Sequence, residues 1–195
     1  PAEIKTLLQE DRLYFHDANW DPDYHKSAEQ LAWFLEKTTG NKVDGVFAFD
    51  LFAIEEIIKA TGPLELPEYN EVITDRNIHE RAEFHSEITL TDEPGEQSYL
   101  PVVLQKLLNQ VLVTPQENVG SLLASLNQSI KQNHLLLYFS DKSENTSFSS
   151  LGWTGTILNP QCPVQLAQDS CVVDAFYQVE ANIGVNKANH YLARS

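Results

Sequence analysis

Residues 15–24 read FHDANWDPDY and place an oxygen-bearing side chain at every second position. Because alternate side chains of an extended backbone point to the same face, one face would carry four such side chains: Asp17, Asn19, Asp21 and Asp23. Carboxylate and carbonyl oxygens are the ligands that Mg²⁺ and Ca²⁺ prefer. The stretch, which we call the acidic loop, is therefore suited to a hard cation.

The acidic loop also resembles the opening of a calcium-binding EF-hand, but the rest of that motif fails. Pro22 stands at the sixth position, where glycine is required, and Ala28 stands at the twelfth, where a bidentate acid is required. An EF-hand is thus excluded. A second interpretation remains open, since Asp and Asn also bond nearby backbone amides in turns and helix caps. The loop either caps itself or positions a metal or ligand.

Composition limits the fold and the partners. The chain has 195 residues, of which 42% are hydrophobic, so residues 1–195 are predicted to form one globular domain with a full core. Its 28 acidic against 13 basic residues give a net charge of −15 and argue against nucleic acid as a partner. The sequence starts at Pro1 and has no Met, so we expect a processed product or a fragment of a longer protein.

Hydrophobic periodicity predicts an alternation of helices and strands, which indicates an α/β fold. Ser27 and Gln30 form a capping box for a helix that Gly40 ends, and Asp50 caps another that Gly62 ends. Further helices are predicted over 77–88, 100–111 and 114–133, with Thr114 as an N-cap; strands are predicted over 43–49, 134–140, 151–158 and 171–184. Residues 89–98 and 141–150 are predicted to be loops.

Histidine and cysteine spacing gives little support to a metal site. His79 and His85 are six residues apart, which does not place them on one helical face, so solvated histidines are predicted. Cys162 and Cys171 alone cannot form a structural zinc site. They are predicted to form a disulfide in an oxidising compartment and to stay reduced otherwise.

Several short motifs occur in the order found in a bacterial family of unknown function, DUF4012. They are Asp17–Trp20 (DANW), Asp44–Val46, Thr61–Pro63, Gly152–Trp153, Glu180–Asn182 and Asn186–Ala188. The chain resembles this family over nearly its whole length, and the family is distantly similar to the LytR-CpsA-Psr cell-envelope proteins. Two departures are His16, where the family usually has arginine, and the absence of its upstream glycine-rich segment.

The resemblance implies an extracytoplasmic α/β domain with a central mixed sheet flanked by helices, tethered by a membrane segment outside this chain. It also favours the disulfide between Cys162 and Cys171.

Two functions follow from the resemblance. In the first, the domain is an envelope or surface module that binds or scaffolds other envelope components and has no catalytic activity.

In the alternative, the domain is a magnesium-dependent phosphotransferase that moves a glycopolymer from a polyprenyl pyrophosphate carrier to the cell wall. The resemblance then gives catalytic roles to Asp17, Asp23, Lys187 and Arg194, with Asp17 and Asp23 holding the metal. Ligand contacts would come from Arg12, Asn19, Asn182 and Asn186. Such chemistry needs clustered cations around the pyrophosphate, and the four arginines of the chain are scattered along the sequence.

Overall fold

The computed structural model describes residues 12–88 and 99–157 and the single positions Thr6, Cys162 and Val173. These residues have the predicted mixed α/β character. The helices are α1 (Tyr24–Thr39), α2 (Leu51–Thr61), α3 (Ile78–Ile88), α4 (Tyr99–Leu112), α5 (Gln116–Lys131) and α6 (Lys142–Ser150). The strands are β1 (Gly45–Phe49), β2 (Leu64–Leu66), β3 (Glu71–Ile73) and β4 (Leu135–Phe139), and short 3-10 helices cover Phe15–Asp17 and Pro67–Tyr69.

The described strands form two separate two-stranded sheets, β1–β4 and β2–β3. Most of the strand predicted over 171–184 lies outside the described residues, so the central mixed sheet stays a prediction. β2 and β3 are antiparallel, with Leu64 opposite Ile73. Beside the other sheet, Ser140 N donates to Asp44 O at 2.8 Å and Asp50 N donates to His134 O at 3.1 Å. Because residue numbers rise on one strand as they fall on the other, β1 and β4 are antiparallel as well.

The chain divides into two compact units. Unit 1 comprises residues 1–46, 138–149 and 154–195, and unit 2 comprises residues 47–137 and 150–153. Both boundaries fall inside strands, within β1 and within β4.

Unit 2 contains the larger hydrophobic core of the described residues. Helices α2, α3 and α4 and the β2–β3 sheet each contribute aliphatic side chains to it. The buried members are Ile54, Ile58, Leu64, Leu66, Ile73, Ile78, Ala82, Tyr99, Val102, Val103 and Leu107. The alternation in β2, where Leu64 and Leu66 are buried and Glu65 is exposed, places one face of that short sheet on the core.

Unit 1 has a smaller interior in which polar side chains take part. Its buried apolar residues include Ala18, Tyr24, Ala28 and Tyr138. Two of its polar side chains, Ser27 and Thr154, are also buried. The phenol of Tyr24 donates to Val46 O at 2.9 Å, which fixes the start of α1 to β1 within this unit.

The predicted N-cap of α2 and the predicted C-terminal ends of α1 and α2 are confirmed. Asp50 Oδ1 accepts from Ala53 N at 3.0 Å at the start of α2, and α2 ends at Gly62. Helix α1 ends at Gly40, whose φ of 75° lies in the left-handed region that glycine adopts without strain.

Three local predictions were wrong. Helix α1 begins at Tyr24, so Ser27 lies inside it instead of capping it. Thr114 does not cap α5; its hydroxyl donates to Gln110 O, and Pro115 precedes the helix. Residues 142–150 form helix α6 instead of a loop.

The last third of the chain is only partly described. Residues 151–157 contain no strand, although Leu137 N donates to Trp153 O at 3.0 Å. Apart from Val173, which is exposed, the strand predicted over 171–184 lies outside the described residues, as does the loop predicted over 89–98. Within the described part of the chain, no helix combines the length and the hydrophobicity that crossing a membrane requires.

Candidate functional site

The carboxylates at the end of the acidic loop are used to start helix α1. Asp21 Oδ1 accepts from Asp23 N at 2.9 Å, and Asp23 Oδ1 accepts from His25 N at 3.1 Å. Asp23 is buried and is the N-cap of α1, where it satisfies a backbone N–H that has no partner inside the helix. These contacts match the self-capping interpretation of the loop.

Two more side chains of α1 hold the loop in place. The buried hydroxyl of Ser27 donates to Asp21 O at 2.8 Å. Lys26 Nζ lies 3.6 Å from Asp21 Oδ2 in an exposed ion pair. Asp21 therefore contacts α1 through its backbone and both carboxylate oxygens, so the alternating face predicted for an extended strand is replaced by a turn.

The other predicted ligands at this end of the chain are distributed over the turn before α1. Asp17 ends the short 3-10 helix, and its backbone carbonyl accepts from Trp20 N at 3.1 Å. Asn19 and Arg12 are exposed. The proposed partners near the C-terminus, Asn182, Asn186, Lys187 and Arg194, lie outside the described residues, so their convergence with Asp17 and Asp23 stays a prediction.

The disulfide also stays a prediction. Cys162 is among the described residues and is not a free thiol. Its predicted partner, Cys171, lies outside the described residues.

A hydrogen-bonded histidine that the sequence did not indicate lies beside the acidic loop. Asn145 Oδ1 accepts from Phe139 N at 3.2 Å, so its Nδ2 faces His25 Nδ1, also at 3.2 Å. Because an amide nitrogen can only donate, Nδ1 accepts and the neutral imidazole carries its proton on Nε2. That nitrogen lies 3.4 Å from Glu29 Oε1.

This arrangement orients the His25 ring between α1, β4 and α6 of unit 1. The ring meets Tyr138 edge-on at a centroid distance of 5.2 Å. Burial raises the pKa of Tyr138, as does the negative charge of Glu29, while a hydrogen bond with Ser140 acts in the opposite direction. No spacing rule could have found the contact, since His25 and Asn145 are 120 residues apart.

Aromatic side chains next to the acidic loop form an exposed surface. Tyr14, Phe15 and Trp33 are 41%, 56% and 53% exposed. Phe34 contacts two of them edge-on, with centroid distances of 6.2 Å to Phe15 and 5.1 Å to Trp33. We call Tyr14, Phe15, Trp33 and Phe34 the aromatic surface. Aromatic side chains are enriched in interaction sites.

The two histidines of α3 are half-buried and paired with carboxylates, so the prediction that they are solvated was wrong. His79 Nε2 lies 3.0 Å from Glu55 Oε2, and His85 Nε2 lies 3.2 Å from Glu71 Oε1. The two imidazoles have different carboxylate partners. Among the described residues, no group of three or more His, Cys, Asp or Glu is arranged to hold a metal ion.

Glu55 is a carboxylate of unit 2 whose ionisation is affected by its neighbours. Burial raises its pKa, but hydrogen bonds and charges from Lys59 and His79 outweigh that effect, and the pKa lies below its usual value. Lys59 Nζ is 2.7 Å from Glu55 Oε1. The group is an ion-pair network on the surface of α2.

Comparison with protein families gives one match. Residues 1–84 match the family described as "Protein of unknown function (DUF4012)". The motifs Asp17–Trp20, Asp44–Val46 and Thr61–Pro63 lie inside the matched part, whereas Gly152–Trp153 and the motifs after it lie beyond it. The match supports the resemblance to DUF4012. Comparison with curated proteins and with solved structures found no match.

Proposed function

We propose that this chain is a DUF4012-type domain of a bacterial cell-envelope or surface protein and acts there as a binding or scaffold module. The observation that carries this proposal is that carboxylates of the acidic loop stabilise the start of helix α1. Asp21 and Asp23 bond backbone N–H groups at the start of α1. Carboxylates with this role stabilise the fold whether or not a metal is present.

The aromatic surface supplies the contact face of the proposed module. Its rings lie beside the acidic loop. Because the chain carries a net charge of −15, a strongly anionic polymer would be repelled at long range. We propose that its partner is another envelope component without a high negative charge.

Binding to envelope material tests this function directly. Purified chain is mixed with isolated cell-wall glycan of the source bacterium, and the bound fraction is measured by sedimentation. We expect the double variant Phe15→Ala, Trp33→Ala to lose binding. Leu112→Ala, which removes an 81% exposed apolar side chain from unit 2, is the matched control and should bind as the parent does. Equal binding by all three proteins, or by none, would contradict the proposal.

The second candidate is the magnesium-dependent glycopolymer phosphotransferase, which we keep because Asp17 and Asp23 come from the same short turn. The proposed extracytoplasmic location and the similarity to LytR-CpsA-Psr proteins belong to both candidates. In this one, Asp17 and Asp23 would hold Mg²⁺, which neutralises charge on the phosphoryl oxygens. Lys187 and Arg194 would supply positive charge.

Trp20 allows the two candidates to be separated by fluorescence. Trp20 N donates to Asp17 O, so its indole is attached to the turn that would bind the ion. The binding-module function predicts no saturable change on adding magnesium. A saturable change that EDTA reverses and Asp17→Ala abolishes would favour the phosphotransferase instead.

A further inference from the structure

A cluster of polar and aromatic side chains joins β3, α3 and the start of α4 in unit 2. Glu71 Oε1 lies 3.2 Å from His85 Nε2 and 3.6 Å from Arg81 Nη1. The imidazole of His85 stacks on the ring of Tyr99, with a centroid distance of 4.0 Å and an interplanar angle of 12°. One imidazole therefore contacts both the carboxylate of Glu71 and the phenol ring of Tyr99.

Two oxygen atoms of this cluster are buried without a hydrogen bond. Glu71 Oε2 and Tyr99 Oη each expose less than 1 Å² and have no hydrogen-bond partner among the described residues. Tyr99 as a whole is only 4% exposed. Since buried polar atoms in folded proteins are nearly always hydrogen-bonded, these two atoms require a partner.

The chemistry of the two atoms defines that partner. An ionised carboxylate oxygen only accepts hydrogen bonds, whereas a phenol hydroxyl can donate one. A single partner shared by both atoms would donate to Glu71 and accept from Tyr99, and a water molecule can do both. Tyr69 lies 5.0 Å from the rings of both His85 and Tyr99.

We propose that one buried water molecule bridges Glu71 Oε2 and Tyr99 Oη and so joins β3 to the first turn of α4. A cation is not needed there, because Arg81 and His85 already face the other oxygen of Glu71. Burial raises the pKa of Tyr99, and the negative charge of Glu71 raises it further, against an opposing effect of Arg81. The inference is independent of the proposed function.

A crystal structure of the chain that shows ordered solvent tests the proposal. We expect one water oxygen within about 3.2 Å of both Glu71 Oε2 and Tyr99 Oη. A direct hydrogen bond between the two side chains would overturn it. Two separate waters, or no water at either oxygen, would overturn it as well.

A double-mutant cycle tests the bridge in solution. Glu71→Gln and Tyr99→Phe should each lower the folding equilibrium constant about tenfold. Because both side chains act through one molecule, the double variant should lose clearly less than the product of the two single effects. Glu68→Gln, which removes an exposed carboxylate paired with Lys106 at 3.3 Å, is the matched control and should change the constant about twofold or less. If the effect of the double variant equals the product of the two single effects, the two groups are not bridged.

Discussion

At the scale of single residues, Asp23 determines where helix α1 begins. Its Oδ1 accepts from His25 N, and the side chain is buried. We expect Asp23→Ala to lower the free energy of unfolding by about 1 kcal/mol, because the N-cap acceptor is lost. Asp23→Asn keeps an acceptor and should have a smaller effect. Urea denaturation followed by circular dichroism measures both.

The control for Asp23 is Asp44→Ala in the same unit, where an exposed carboxylate is removed. It should leave stability within about 0.5 kcal/mol of the parent. An Asp23→Ala effect that appears only in the presence of magnesium would contradict the capping role and support a metal role.

Glu55 should make unit 2 sensitive to acid. Its pKa is lowered in the folded chain, so its contribution to stability is present above the unfolded pKa of about 4.3 and is lost as the pH falls through the folded value. We expect the melting temperature of the parent to decrease below about pH 4.5, and that of Glu55→Gln to decrease less. Glu65→Gln, an exposed carboxylate on β2, should follow the parent. Parallel curves for Glu55→Gln and the parent would contradict this role.

The sequence predicted the roles of side chains that interact with their neighbours along the chain. Asp50 directly precedes a segment with helical periodicity, and Gly40 and Gly62 directly follow such segments. Each of these helix ends could therefore be predicted from adjacent residues. The contact between His25 and Asn145 could not be predicted, because it depends on β4 and α6 folding back beside α1. The same reason explains why the histidines of α3 are paired: Glu55 and Glu71 reach them from α2 and β3.

At the scale of elements, Gln110 connects α4 to the end of α2. Its Nε2 donates to Thr61 O at 3.0 Å and to Gly62 O at 2.8 Å, carbonyls at a helix end that lack intrahelical partners. We expect Gln110→Ala to lower the free energy of unfolding by about 1 to 2 kcal/mol. Gln105→Ala, on the exposed side of the same helix, should have almost no effect. Similar losses for both variants would mean that the contact of Gln110 with Thr61 and Gly62 is not responsible.

Helix α6 shows why one element was mispredicted. Its sequence, KSENTSFSS, has little apolar periodicity, so the hydrophobic pattern indicated a loop. The deciding signal is Asp141, whose Oδ1 accepts from Ser143 N at 2.9 Å and Glu144 N at 3.0 Å. An acid followed three residues later by Glu is a helix-start pattern. The error came from weighing periodicity above capping.

At the scale of the whole molecule, the α/β character followed from alternating helical and extended patterns. The central mixed sheet was instead implied by the resemblance to DUF4012, and it stays a prediction. Strand pairing depends on contacts far apart in sequence, such as Ser140 with Asp44, which periodicity does not encode. For the candidate site, Asp17 ends the 3-10 helix before α1 and Asp23 caps α1, and their convergence with distant partners stays a prediction.

The net charge of the chain makes its stability dependent on salt. With 28 acidic and 13 basic residues, repulsion among carboxylates opposes the compact state, and salt screens it. Salt also weakens the exposed ion pairs, such as Lys26–Asp21 and Lys106–Glu68, but each of these contributes only about 0 to 1 kcal/mol. We therefore expect the melting temperature at pH 7 to rise as sodium chloride increases from roughly 0.01 M to 0.15 M, where the Debye length falls from about 30 Å to 8 Å. Potassium chloride should give the same rise, and an equal osmolality of a neutral solute should give a smaller one. A melting temperature that falls with either salt would mean that the ion pairs outweigh the repulsion.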